Sequence, residues 1–138
     1  MFHISRQIYR DLAPEIADPA QHERVLRACE RVARRGGGVT VSNDPIDAVR
    51  HADAVYTDAW TSMGQAPSKQ RDRLFKPYQV NARLMGLASP DAVFMHCLPA
   101  HRGLEVTDEV MDSAASVIFD QSENRLHVQK AVLTLLMR

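Results

Sequence analysis

Apolar residues in this chain recur in two rhythms, short continuous runs and longer stretches striped at three-to-four spacing. Five runs stand out as strand candidates, at residues 2–5, 39–42, 54–57, 93–96 and 117–119. Short runs that are apolar almost throughout suit parallel strands covered on both faces. Between the first two runs, Val25, Cys29, Val32 and Ala33 line one helical stripe. Asp18 and Pro19 start that helix, and Gly36-Gly37-Gly38 ends it. Glu23 with Arg27 and Glu30 with Arg34 are pairs on its wet side.

Asp44-Pro45 opens a short helix that runs to about His51. Residues 69–88 read as helix interrupted near Pro77, and Thr107 caps another with Glu109 and Val110 in its first turn. The last helix, 124–137, places Leu126, Val128, Val132, Leu135 and Leu136 on an apolar stripe, which Leu133 and Met137 widen. A helix apolar on more than one side wants a second partner besides its own sheet. Repeated strand–helix alternation predicts an α/β fold, a three-layer parallel sheet with helices on both faces.

Length and composition narrow the functional classes. The 138 residues make one domain with room for a real core. Lys+Arg and Asp+Glu are both 17, so no global field favours nucleic acid or an anionic membrane. No apolar run reaches membrane-spanning length, and the first six residues do not read as a secretory signal. Two cysteines, Cys29 and Cys97, make no disulfide framework and read as reduced thiols in a cytoplasmic protein. Cys29 reads as a small core residue.

Chemistry concentrates where two of the runs end. The run at 93–96 delivers His96-Cys97-Leu98-Pro99-Ala100-His101 to a loop, and ligands of open α/β sheets bind outside such carboxyl ends. Cys97 has the options of nucleophile, base, metal ligand or buried thiol. His96 and His101 lie near enough to suggest zinc, but no fourth ligand is evident, and no metal or other cofactor is expected. A covalent Cys/His hydrolase would need a base and an oxyanion hole that the sequence does not locate. The run at 54–57 ends in Asp58, whose carboxylate can hold an ammonium with help from the Ser62 hydroxyl, or simply cap a turn. Backbone N–H groups of Ser62-Met63-Gly64 can face an anion, and Trp60 supports the loop from a partly buried position. Arg125, after Glu123-Asn124, sits near the end of the fifth run. It is placed to grip a phosphate or carbonyl oxygen, or to pair with Glu123 or Asp120.

Four motifs in order carry a family resemblance. Asp58-x-x-x-Ser62-Met63-Gly64, Phe75-x-x-Tyr78-Gln79-Val80-Asn81, His96-Cys97-Leu98-Pro99 and Glu123-Asn124-Arg125 together resemble the ornithine-binding half of ornithine carbamoyltransferases. The resemblance is strong from about Val39 onward and weaker before it. It implies a Rossmann-like domain across residues 1–138, incomplete at its N-terminus and lacking its first strand. It also implies transfer of the carbamoyl group of carbamoyl phosphate to the δ-amine of ornithine, giving citrulline and phosphate, in a soluble homotrimeric family. By position, Asp58 and Ser62 would hold the ornithine α-amino group, and the Met63 backbone its α-carboxylate. Cys97 would face the δ-amine and help remove its proton. Arg125 and the Cys97-Leu98 backbone would contact carbamoyl phosphate. Related carbamoyltransferases share the His-Cys-Leu-Pro stretch, but Ser62-Met63-Gly64 favours ornithine over putrescine or acetylated ornithine.

Two family motifs, a Ser-Thr-Arg-Thr phosphate loop and a His-Pro-x-Gln segment, occur nowhere in the 138 residues. These residues alone are therefore expected to lack full activity and to self-associate. The alternative is a non-catalytic amino-acid-binding or interaction module derived from the same domain.

Overall fold

A computed structural model describes residues 42–61, 64 and 66–137. The strand candidate at 2–5, residues 39–41 of the one at 39–42, the helix that follows Asp18 and the Cys29 side chain all lie outside the described residues, and Ser42 is not in a strand. The chain divides into two units between Arg50 and His51. In the first, helix α1 (Pro45–Val49) starts as the sequence predicts. The Asp44 carboxylate accepts the Ile46 N–H at 2.8 Å, and Pro45 opens the first turn. The helix stops at Val49, just short of the expected end.

The second unit is built on a parallel pair of strands, β1 (Ala54–Thr57) and β2 (Val93–His96). Their register sets Val55 beside Phe94, Tyr56 beside Met95 and Thr57 beside His96. Period-two alternation then sorts the side chains. Val55 and Phe94 are buried with Val80, Leu84, Val106, Val110 and Ile118, while Tyr56 is half exposed. The crossover from β1 to β2 holds α2 (Lys69–Phe75), a 3-10 turn (Lys76–Tyr78) and α3 (Ala82–Met85). The interruption expected near Pro77 is present: Gln79 turns extended, and Asn81 begins a fresh helix by accepting the Leu84 N–H at 3.0 Å. The result is an α/β arrangement whose described sheet is small.

Three expectations need correction. The run at 117–119 is not a strand. Phe94 N–H donates to the Ala115 carbonyl at 2.7 Å and Val117 N–H to the Phe94 carbonyl at 3.0 Å, a single bridge at Ser116. A three-residue apolar run does not distinguish strand from helix start. Here Ile118 is buried while Phe119 turns out to solvent, as the first turn of a helix allows. The last helix, α5 (Ile118–Leu136), is consequently longer than expected, and Arg125 lies within it rather than at its start. Nor does one face of α5 cover the sheet. Past Ile118 no residue of α5 is buried, and Leu126, Val128, Val132, Leu133, Leu135 and Leu136 are exposed. Finally, Thr107 does precede α4 (Asp108–Met111), but its hydroxyl makes no capping bond and is buried without a hydrogen-bond partner among the described residues. No described helix is long and apolar enough to cross a membrane.

Candidate functional site

The register of β1 and β2 decides what meets at their carboxyl ends. Thr57 lies beside His96, so the next residues, Asp58 and Cys97, emerge side by side. The Cys97 thiol donates to Asp58 Oδ1 at 2.9 Å, and the same oxygen accepts the Ala59 N–H at 2.7 Å. Burial pushes the Cys97 thiol above its ordinary pKa, and the hydrogen bond to the Asp58 carboxylate pushes it further. The group is therefore a neutral thiol near pH 7. Its partner is a carboxylate and not an imidazole, which does not match the ion pair of a Cys/His hydrolase.

Tyr56, one turn of the pleat before Thr57, brings its hydroxyl to Cys97 and to the Gln121 side chain. Burial raises the Tyr56 pKa first, and the Cys97 contact adds to it. Gln121 itself accepts the His96 N–H at 3.0 Å. Sequence reasoning missed both residues. Tyr56 lies inside an apolar run, and Gln121 falls between the 117–119 run and the helix expected from 124, where nothing in the sequence marks it.

Arg125 reaches the same corner from α5, donating through Nη1 to the Cys97 carbonyl at 3.4 Å. Among the described residues it makes no ion pair with Asp120 or Glu123, and Glu123 instead meets His127 at 3.4 Å. A guanidinium carries five donors, and this one long bond leaves most of them directed elsewhere.

The loop after Cys97 has an unusual backbone. Leu98 adopts φ 55°, and the Leu98–Pro99 peptide is cis. The left-handed region is costly for a branched residue. The Leu98 N–H donates to His96 Nδ1 at 2.8 Å and is therefore already engaged within the loop. Farther along, Gln79 Nε2 donates to the Gly103 and Leu104 carbonyls at 2.8 and 2.7 Å, and Val80 N–H donates to the Glu105 carbonyl at 2.9 Å. The Tyr78-Gln79-Val80-Asn81 motif thus anchors the far side of the loop. His96 and His101 both approach Glu105 rather than converging with Cys97 on one point.

Of the remaining expected site residues, Ser62 and Met63 lie outside the described residues. Trp60 and Gly64, on either side of them in the sequence, are described. Trp60 is buried, more deeply than expected, and stacks on Phe75 with ring centroids 5.9 Å apart. Gly64 has φ 87°, which favours glycine, and buried Arg71 donates to the Ala66 carbonyl at 2.7 Å. Asp58, Cys97, Leu98 and Arg125 are the expected residues that the fold brings together.

Residues 10–136 match the family model described as the Asp/Orn binding domain of aspartate/ornithine carbamoyltransferase. The chain belongs to that family. It is 54% identical over 118 residues to the ornithine carbamoyltransferase of Rhodopseudomonas palustris, covering 86% of this chain and 38% of the relative. Against the anabolic ornithine carbamoyltransferase of Pyrococcus furiosus it is 53% identical over 126 residues, covering 90% of this chain and 39% of that one. The solved Pyrococcus furiosus ornithine carbamoyltransferase superposes with a TM-score of 0.75 at 55% identity, over 82% of this chain and 37% of that structure. An N-acetyl-L-ornithine transcarbamylase structure superposes with a TM-score of 0.67 at 37% identity, over 88% and 37%. The fold is thus the Rossmann-like α/β fold of these carbamoyltransferases. The chain spans about two fifths of the length of the curated relatives it matches.

Proposed function

We propose that this chain is the ornithine-binding part of an ornithine carbamoyltransferase, and that Cys97, Asp58 and Arg125 serve its reaction. The observation that carries the reading is the Cys97 thiol at 2.9 Å from the Asp58 carboxylate, at the carboxyl ends of adjacent parallel strands. A neutral thiol bonded to a carboxylate is a proton path. As the δ-amine attacks the carbamoyl carbon, the C–N bond forms and the C–O bond to phosphate breaks. Cys97 takes the amine proton while passing its own toward Asp58. The guanidinium of Arg125, beside the Cys97 carbonyl, is near enough to meet the developing oxyanion, with the Leu98 carbonyl on the amino group. Asp58 also faces the α-ammonium together with Ser62, while the Met63 backbone faces the α-carboxylate. A carboxylate there favours ornithine over an acetylated ornithine, whose α-nitrogen carries no charge.

Carbamoyl phosphate needs a phosphate-binding loop that is not among these 138 residues, so the reading assigns them substrate binding and the thiol–carboxylate pair, not the complete reaction. The proposed setting is cytoplasmic, with self-association through α5 and a trimer in the whole enzyme. Calorimetry of the 138-residue chain tests the site. Ornithine is expected to bind in the millimolar range, because the carbamoyl-phosphate side contributes nothing, and acetylornithine to bind more weakly still. Asp58→Ala should abolish the ornithine heat while leaving the circular dichroism unchanged. Equal heats from both proteins would show that Asp58 only shapes the turn.

A further inference from the structure

Two buried side chains beneath the site, His96 and Glu105, take no part in the transfer chemistry. Both are completely shielded from solvent, which is rare for such groups unless they are engaged. Leu98 N–H donates to His96 Nδ1 at 2.8 Å, so that nitrogen presents a lone pair and the ring proton is assigned to Nε2. Nε2 faces Glu105 Oε1 at 3.4 Å. The same carboxylate oxygen accepts the His101 N–H at 2.5 Å and lies 3.4 Å from His101 Nδ1. A single oxygen atom therefore meets the loop at both ends, with Cys97, Leu98, Pro99 and Ala100 strung between. The His96–Glu105 contact is electrostatic more than a formed hydrogen bond, since Nε2 makes no hydrogen bond among the described residues.

We propose that His96 and Glu105 are positioning residues for the Cys97 thiol. His96 acts as the Nε2–H tautomer, holding Leu98 in its left-handed conformation through the Leu98 N–H. Glu105 holds the ring in that tautomer and closes the loop at His101. Leu98 pays a conformational cost at φ 55°, and a side-chain bond spanning two residues is the local force that keeps it there. With Leu98 fixed, the thiol stays directed at Asp58 and the Cys97 carbonyl at Arg125. A partner that sets which ring nitrogen carries the proton is a familiar device beneath functional histidines. Here it shapes a backbone and does not act on a substrate.

That role in catalysis rests on the transferase reading. The tautomer and the Leu98 amide do not, so the two ideas can fail separately. The test is nitrogen-15 NMR of the 138-residue chain. In the unaltered chain the His96 ring should show a protonated Nε2 and an acceptor Nδ1, and the Leu98 amide should exchange slowly. Two variants divide the structural from the positioning role. His96→Asn keeps an acceptor oxygen within reach of the Leu98 N–H, whereas His96→Phe keeps bulk and removes the acceptor. The Phe variant should speed Leu98 exchange about tenfold or more while the Phe94 amide stays protected, and the Asn variant should stay within about threefold of the parent. A ring proton on Nδ1, or equal Leu98 exchange in the two variants, overturns the proposal. If the Phe variant does not fold, the ring tautomer of the unaltered chain decides.

Discussion

The loop after β2 and the helix α5 depart from ordinary burial in opposite directions. The loop hides polar groups: His96 and Glu105 are fully buried, and Gln79 nearly so. The helix shows apolar ones, with Leu135, Leu136 and Met137 all about two thirds exposed or more. Most buried polar atoms are hydrogen-bonded, and the loop is stitched by His96, Gln79, Val80 and Glu105 into one backbone shape. Exposed leucines meet no such demand. Each forfeits roughly 1.5–3 kcal/mol of burial, and nothing in the described residues returns it. The contrast separates a backbone held in one shape from an apolar surface that no described residue covers.

The comparison breaks most visibly in turnover. If the strand-end region is only the ornithine side of the reaction, the 138-residue chain should make citrulline more slowly than a whole family enzyme by on the order of 10³ or more, since preorganised charge at the transferring group usually dominates such chemistry. A colorimetric citrulline assay checks this, and steady turnover sensitive to Cys97→Ser would sink it.

Stability should differ almost as sharply between the two regions. Phe94→Ala empties a fully buried position between the strands and should cost about 3–5 kcal/mol in urea unfolding. Leu136→Ala on exposed α5 should stay within about 0.5 kcal/mol. Similar losses at both sites would mean that α5 is covered within its own chain.

Association sharpens the picture of α5. The parent chain should scatter light as more than a monomer at low micromolar concentration, and Leu133→Glu combined with Leu136→Glu should return it toward monomer with ornithine binding intact. An unaltered parent that is already monomeric and binds no apolar dye would remove the basis for that surface.

The smallest effect concerns Cys97. Because its pKa is raised in the fold, the folded chain keeps a proton that the unfolded chain loses first. The stabilising contribution is therefore complete below the ordinary thiol value of 9.0 and fades as pH rises from there through the raised folded value. In a Cys29→Ser background, alkylation of Cys97 should climb later with pH than for a free thiol, and Asp58→Asn should move the climb earlier. An unchanged profile would show that Asp58 does not act on the thiol.

How much of this was visible in the sequence follows from range. Asp58 and Cys97 each sit one residue past a short apolar run, and parallel register alone brings such neighbours together. The break at Pro77 and the cap at Asp44 are local, and local chemistry reads well. Glu105 was invisible, because nothing in the sequence marks a loop glutamate as fully buried until β2, His101 and residues 79–81 close around it. Arg125 does reach the Cys97 carbonyl, but from within a helix and not from the start of one. The apolar triplet at 117–119 fits a strand end and a helix start equally, and only the single bridge at Ser116 settles which it is.

The outer edge of β2 has a consequence for how copies of this chain can meet. Its two outward N–H groups are both spoken for, Phe94 by the Ala115 carbonyl and His96 by the Gln121 side chain. A glutamine stands where a third strand would otherwise dock, a plug made of one side chain. Assembly by strand addition, the route that propagates into fibres, is closed along that edge.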